Sequence, residues 1–308
     1  MKHILLTGAT GFLGSHLLEA LIKHGYKLTI LKRSTSDTWR IDQLLGQVSI
    51  FDIDQITLEN VFDNNDIDVV IHLATYYRKV DLSSSVAEML NANVVFPATL
   101  LEVSIKSGVK GFINTGTFFE YDCSVVPVEE ACELNPFNFY AKTKFTFDSL
   151  LHTYKGILNV ITLRIFSPYG PKDNKKVIPY IIKNALEGNG IELSEGLQKL
   201  DFVYCDDVVN AYIRALDYIF ENENVNEVFN IGSGFPTSIR EIVSVLEEEL
   251  KTKLKVNWES DSSYDFDIVY ADISKSIRML GWRPRTNLRE GLFKTLNYYE
   301  ALRENSRN

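Results

Sequence analysis

The sequence predicts an α/β protein: a doubly wound parallel sheet with a smaller mixed α/β region after it. Three observations predict it. Short apolar runs alternate with helical patterns through the first half, a glycine-rich turn joins the first run directly to the first helix, and the rhythm changes after Pro171.

In order, His3-Ile4-Leu5-Leu6-Thr7 reads as a buried strand. Leu13, Leu17, Leu18, Leu21 and Ile22 then share one helical face, and His24-Gly25 closes that helix. Lys27 to Leu31 is the second strand, and Val48 to Phe51, Val69 to His72, Gly111 to Asn114 and Val160 to Leu163 continue the series. Such βαβ units bury both sheet faces, and their handedness leaves the Rossmann topology as the commonest solution. Beyond Pro171, Ile178 to Leu186 and Ser238 to Leu250 are helical, and Glu227 to Ile231 is a late strand. Trp282-Arg283-Pro284 turns the chain into a last helix, Leu288 to Leu302, before a frayed tail, Arg303 to Asn308. The expected organisation is a Rossmann domain over 1–170, to which strand 227–231 returns, and a substrate-binding region over 171–308.

The bulk numbers exclude several partners. A chain of 308 residues, 45% hydrophobic and 24% charged, has the composition of a soluble globular protein. Its net charge of -9 argues against nucleic acid, which demands clustered cations. The lysines of Lys251 to Lys255 alternate with other residues, as on a strand edge or solvated face. Cys123, Cys132 and Cys205 make no disulfide framework, and no Cys or His spacing resembles a metal site. No segment reads as a signal peptide or reaches a membrane span, so a cytoplasmic location is expected.

Gly8-Ala9-Thr10-Gly11-Phe12-Leu13-Gly14 lies where strand meets helix, so the glycines permit a tight turn and a pyrophosphate at the helix N-terminus. At the end of the second strand, where an acid would bind a ribose diol, stand Lys32, Arg33 and Ser34. Two cations and a hydroxyl suit a 2′-phosphate, which favours NADP(H) and leaves NAD(H) possible.

Tyr140 and Lys144 fall at i and i+4 on one helical face, where an ammonium is expected to lower the phenol's pKa. Thr115 is expected at the carboxyl end of its strand, where its hydroxyl could hold a carbonyl oxygen while Tyr140 moves the proton. His16 is expected to pack or face solvent, His152 to have no partner, and Tyr76 and Tyr77 either to stack on a ligand or to pack.

With these residues in hand, the chain resembles the extended short-chain dehydrogenase/reductase superfamily, in its nucleotide-sugar epimerase/dehydratase branch. The resemblance runs from Thr7 to Gly14 through His72-Leu73-Ala74, Asn93, Tyr140 to Lys144, Leu163 to Phe166 and Tyr169-Gly170-Pro171. It continues into Asp201 to Val208 and Phe229 to Ser233. It implies a catalytic set of Thr115, Tyr140 and Lys144. Cofactor contacts are implied from Gly8, Thr10, Gly11, Phe12, Leu13, Gly14, Lys32, Arg33, Ser34, Asp52, Ile53, Leu73, Ala74, Thr75, Asn93, Tyr140, Lys144 and Phe166, and substrate contacts from Tyr76, Thr117, Ser167 and Lys199.

Within that branch, His72 to Thr75, Asn114 to Phe119 and Ile178 to Ile182 are most similar to the CDP-abequose and CDP-paratose synthase type of 4-keto-sugar reductase. The implied activity is NADPH-dependent reduction of a 4-keto-6-deoxy (or 3,6-dideoxy) nucleotide sugar. The alternatives are an NAD-dependent nucleotide-sugar 4-epimerase or a catalytically silent NADP-binding sensor. Gly116-Thr117 replaces the Asp-Glu pair of dehydratases, which disfavours elimination of water. Leu200 and Ser167 stand where an arginine and an asparagine are usual, and no phosphate-binding arginine is found near Ser262 to Asp267. The resemblance also implies a homodimer, pairing the helix near Ala87 to Lys106 with the Tyr140 helix across a two-fold axis.

Overall fold

The computed structural model describes residues 1–77, 86–259 and 266–305. Its strands are β1 (His3–Thr7), β2 (Lys27–Lys32), β3 (Ser49–Asp52), β4 (Val69–His72), β5 (Gly111–Thr117), β6 (Asn159–Ile165), β7 (Ser167–Tyr169), β8 (Ile191–Leu193), β9 (Lys199–Tyr204), β10 (Asn226–Ile231), β11 (Pro236–Ser238) and β12 (Val256–Trp258). Its α-helices are α1 (Phe12–Lys23), α2 (Leu58–Asp63), α3 (Val86–Leu90), α4 (Phe96–Lys106), α5 (Phe139–Leu151), α6 (Val177–Glu187), α7 (Cys205–Glu221), α8 (Ile239–Leu250), α9 (Ser274–Leu280) and α10 (Leu288–Asn305).

A seven-stranded sheet in the order β10-β6-β5-β4-β1-β2-β3 forms the centre, and all its neighbours run parallel. Strand alternation sends Ile4, Leu6, Ile30, Ile113 and Leu163 to one face, against Leu17 of α1 and Leu216 of α7. Leu5, Val70, Phe112 and Val160 face the other way, against Leu100 of α4 and Phe147 of α5. Both faces are thereby dry, as the continuous apolar runs require. The later chain adds a three-stranded sheet β11-β9-β7 and a pair β12-β8, with a separate core from α6, α8 and α10. It also returns to the large sheet with more than the late strand, because Leu216 of α7 and Leu280 of α9 join the first core.

Helix ends follow local chemistry. Asn138 accepts the Ala141 N–H at 2.8 Å to start α5, and Ser238 with Glu241 forms a capping box at α8. Gly188 and Gly281, both in the left-handed region, end α6 and α9.

Several expected boundaries move. β5 does not stop at Asn114, because its ladder on β6 continues through Thr115↔Leu163, Gly116↔Arg164 and Thr117↔Ile165. Thr115 therefore lies inside the strand and Thr117 ends it. Arg303, Glu304 and Asn305 belong to α10 rather than to a frayed tail, and 306–308 lie outside the described residues. The continuous helical segment Val86–Lys106 is long and apolar enough to cross a membrane by length and composition alone, a feature missed in the sequence. Here Leu100, Leu101 and Val103 pack onto the sheet.

Two carboxylates in the Asp201-to-Val208 stretch tie loops rather than face a ligand. Asp207 accepts the Arg285 and Thr286 N–H groups at 2.9 and 3.0 Å. Asp201 is buried and accepts from the Ser233 N–H, the Ser233 hydroxyl, and the Gly234 and Ala271 N–H groups. Asp201→Ala strands these donors and is expected to cost about 2–4 kcal/mol, read as a lower urea midpoint at unchanged slope.

Candidate active site

The order of the large sheet reverses between β1 and β4, and ligands of such sheets bind outside the carboxyl ends at that point. β1 delivers the glycine turn there. Gly8 takes φ +74, and a Cβ on Gly14 would overlap the Gly8 carbonyl oxygen, so the turn closes only with glycine at both positions. α1 is preceded by Gly11 as its N-cap, with no side-chain cap and no acidic residue in its first turn. Its free N–H groups therefore fit a pyrophosphate, contributed by the backbone of Phe12, Leu13 and Gly14. Arg40 holds the rim by donating to the Thr10 carbonyl at 3.3 Å and the Lys172 carbonyl at 3.0 Å.

At the end of β2 the structure adds a partner that the sequence did not reveal. Lys32 lies 3.6 Å from Asp52, and the Ser34 hydroxyl donates to the same carboxylate at 2.7 Å. β2 and β3 are neighbours, and their register sets Lys32 opposite Asp52. The expected trio is thus half neutralised. Arg33 is exposed, and its guanidinium makes no ion pair among the described residues. Ile53 follows Asp52 and donates its N–H to the Lys32 carbonyl.

The segment after β4 carries Leu73, Ala74, Thr75 and Tyr76, and Asn93 clamps it. A π-helical turn, Asn91–Val95, joins α3 to α4 and buries Asn93. The Asn93 amide accepts from the Tyr76 N–H at 2.8 Å and the Thr75 hydroxyl at 3.1 Å. It donates to the Tyr76 carbonyl and the Thr143 hydroxyl, both at 3.0 Å. All four hydrogen-bonding positions of the side chain are used.

Tyr140 and Lys144 lie one turn apart on α5, as the spacing predicts. Thr75 is hydrogen-bonded to the Tyr140 hydroxyl, and the ring of the exposed Tyr77 meets that of Tyr140 edge-on at 4.8 Å. The phenol's proton affinity runs opposite to expectation. Burial pushes Tyr140 up to about 12, with the charge of Glu120 adding, so it is a phenol near neutrality. Burial lowers Lys144 against the opposing pull of Glu120 and Asp148. His72 is held neutral by burial, with Lys144 adding, and its Nδ1 lies 2.8 Å from the Thr7 hydroxyl.

Thr115 does not present its hydroxyl at the strand end. It donates to the His72 carbonyl at 2.8 Å and lies 2.6 Å from the Tyr212 hydroxyl of α7. Thr117 occupies the strand end, where its hydroxyl caps the next turn by accepting backbone N–H groups, that of Phe119 at 3.4 Å, and keeps its own proton for another acceptor. The pair after Thr117 is Phe118-Phe119, so no acid follows the strand end in this register either. Phe166 is buried and stacks on Phe118 at 5.2 Å. Ser167 opens β7 and Lys199 opens β9, where the lysine's charge is felt by Glu241 at the start of α8. Of Ser262 to Asp267, only Phe266 and Asp267 fall within the described residues.

Sequence reasoning missed Glu120, buried beneath the site, although Thr117-Phe118-Phe119-Glu120 carries the capping-box spacing. It also left His152 unpartnered, whereas its Nε2 lies 3.8 Å from Asp148. His16, packed edge-on against Phe12, bonds the Pro171 carbonyl and sits with Cys205 and Asp206 in a group of possible ligand atoms within 4.8 Å.

Comparison with known proteins agrees with this geometry. Residues 4–232 match the model of the NAD dependent epimerase/dehydratase family. A CDP-abequose synthase from Salmonella muenchen is 30% identical over 305 residues, covering 97% of this chain and 98% of that one. A putative UDP-glucose 4-epimerase from Methanocaldococcus jannaschii is 28% identical, covering 96% and 97%. Among solved structures, a UDP-glucuronic acid 4-epimerase from Bacillus cereus, in complex with UDP-glucuronic acid and NAD, superposes with a TM-score of 0.88. It is 28% identical, and the match covers 97% of this chain and 99% of that one.

Asn93→Ala would leave the Tyr76 N–H and the Thr143 hydroxyl without their acceptor and donor. The expected loss is about 2–3 kcal/mol in urea unfolding, with weaker nicotinamide-cofactor binding in fluorescence titration.

Proposed function

The chain belongs to the NAD dependent epimerase/dehydratase family, and from that premise we propose that it reduces a 4-keto-6-deoxy (or 3,6-dideoxy) nucleotide sugar with NADPH. The observation that carries the reading is Tyr140, a half-buried phenol held protonated and hydrogen-bonded to Thr75, in the segment whose Leu73 and Ala74 abut Gly8 of the glycine turn, which suits a proton donor. The similarity to a CDP-abequose synthase along nearly the whole chain supports it.

When bound, the nicotinamide supplies the hydride. Tyr140 donates its proton to the oxygen that becomes the new hydroxyl. Thr117, at the carboxyl end of β5, is better placed than Thr115 to hold that oxygen, because Thr115 already serves His72 and Tyr212. Lys144 stabilises the phenolate left behind. Gly8 to Gly14 and the start of α1 hold the pyrophosphate, with Leu73, Ala74 and Thr75 alongside. Arg33, free of any ion pair among the described residues, would meet a 2′-phosphate. Ser167 and Lys199 are proposed on the substrate side with Tyr76.

One observation favours a second reading. Asp52 draws off Lys32 and Ser34, and similar solved structures hold NAD, which suits a nucleotide-sugar 4-epimerase using the same groups. Leu90 of α3, Val95 of the π-helical turn and Leu150 of α5, exposed by 39%, 54% and 39%, are proposed as contacts of a homodimer. Sedimentation at micromolar concentration should give twice the chain mass, and a monomer there rejects the dimer.

Titration of NADPH and NADH is expected to favour NADPH at least tenfold, and Arg33→Asp to erase that preference. NADH preference, or interconversion of UDP-sugars without net cofactor turnover, would replace the reductase by the epimerase. Tyr140→Phe should lower turnover by roughly 10²–10⁴-fold with cofactor affinity kept.

A further inference from the structure

We propose that Glu120 is a positioning residue of this site. One oxygen of its buried carboxylate anchors the Thr117 backbone, and the other lies against the buried Arg164–Asp148 pair that ties β6 to α5, the helix that carries Tyr140 and Lys144. The inference rests on reading Tyr140 and Lys144 as the proton-handling pair.

Glu120 closes a short 3-10 turn, Phe118–Glu120, that directly follows β5, and its side chain is wholly buried. Its Oε1 accepts the Thr117 N–H at 2.7 Å. Its Oε2 lies 3.4 Å from Nε of Arg164, yet neither atom makes a hydrogen bond among the described residues. Arg164 is already committed elsewhere. Its Nη2 donates to Asp148 at 2.8 Å, and its guanidinium lies over the Tyr121 ring. Asp148 also takes the Thr162 hydroxyl at 2.6 Å. Glu120 is therefore the second carboxylate on a guanidinium that Asp148 has neutralised. An orphaned buried oxygen is costly as a carboxylate, which is the physical reason for the proton it retains.

Arg164 of β6 lies beside it, with Asp148 of α5 bonded to the same guanidinium and Tyr121 next in the chain, while Lys144 and Tyr140 of α5 interact with it through their charges. Burial pushes Glu120 up to about 7, against Arg164 and with Asp148. Its charge changes near neutrality, and that change reaches both active groups. Ionised, it raises Tyr140 and helps Lys144 keep its proton. Neutral, it leaves Tyr140 a stronger acid. A donor of this kind works best on the acid side of the Glu120 transition.

The linkage has a definite sign. A carboxyl raised above its ordinary value of 4.5 gives the fold full stability below that pH and loses it as pH climbs through about 7. The thermal midpoint should therefore fall across this window in the wild type and much less in Glu120→Gln. The amide oxygen of the variant still accepts the Thr117 N–H, so the anchor is kept while the titrating charge is removed.

The deciding measurement is the ¹³Cζ resonance of Tyr140 against pH in tyrosine-labelled protein, assigned by its loss in Tyr140→Phe. The expected wild-type curve inflects near pH 7, and the inflection vanishes in Glu120→Gln. A wild-type curve flat between pH 5 and pH 9, or an inflection that persists in Glu120→Gln, overturns the proposal. If the variant does not fold, the wild-type curve decides alone. Undiminished turnover in Tyr140→Phe would instead sink the proton-handling reading, whatever Glu120 does.

Discussion

A guanidinium sealed inside the protein organises the ground on which this site stands. Arg164 sits on β6 with about 2% of its surface exposed, and a charge so placed needs partners with good geometry. Asp148 reaches it from α5, Glu120 from the turn after β5, and the Tyr121 ring covers its face. Two separate parts of the chain, α5 and the turn after β5, thus converge on one side chain of β6. The first carries Tyr140 and Lys144 and the second begins at Thr117, so the position of the chemistry follows from the satisfaction of a buried charge. Even Gly116 belongs to this arrangement, since a Cβ there would press on Arg164, Thr162 and Glu120.

What could be read from the residues, and what could not, divides by range. The strands of the large sheet were legible because a strand buried on both faces needs a continuous apolar run, as Ile4 to Leu6 and Val69 to Ile71 provide. Tyr140 and Lys144 were legible because helical spacing fixes which residues share a face. The end of β5 was not, because Thr115, Gly116 and Thr117 are polar or small and only the ladder on β6 keeps them in the strand. The Lys32–Asp52 pair was hidden for a similar reason: two residues twenty apart meet only because β3 lands beside β2. Glu120 did leave a local signal in its spacing from Thr117. That signal marks a helix start, and nothing in it tells that the acid will be walled off from water.

The cofactor end and the catalytic end of the site use opposite electrostatic strategies. Around Lys32, Arg33 and Ser34 the charges lie near solvent, where screening is strong and partners exchange at small cost. Around Tyr140 and Lys144 they are buried, where each gain or loss of a proton is felt by its neighbours. Choice of nucleotide is thus a property of a few surface side chains, readily retuned by substitution. Proton handling is a property of the whole junction of α5, β5 and β6. The two can change independently, and related chains with similar cores differ in the reactions their names record.

The placement of β10 bears on how the chain acquires its shape. Its register pairs Asn226 with Val160, so the outer edge of β6 stays open until more than sixty further residues have been made. During synthesis that edge is an unpaired row of backbone donors and acceptors next to an apolar face, the kind of template on which chains misassociate. The intervening segment also makes α7, whose Leu216 covers the same side of the sheet. Closure of the sheet is therefore a long-range, late event, and it sets the folding rate more than any local helix does. A chain cut near residue 170 would expose both the open edge and the bare face, so the two parts of the molecule are coupled in folding before they are coupled in function.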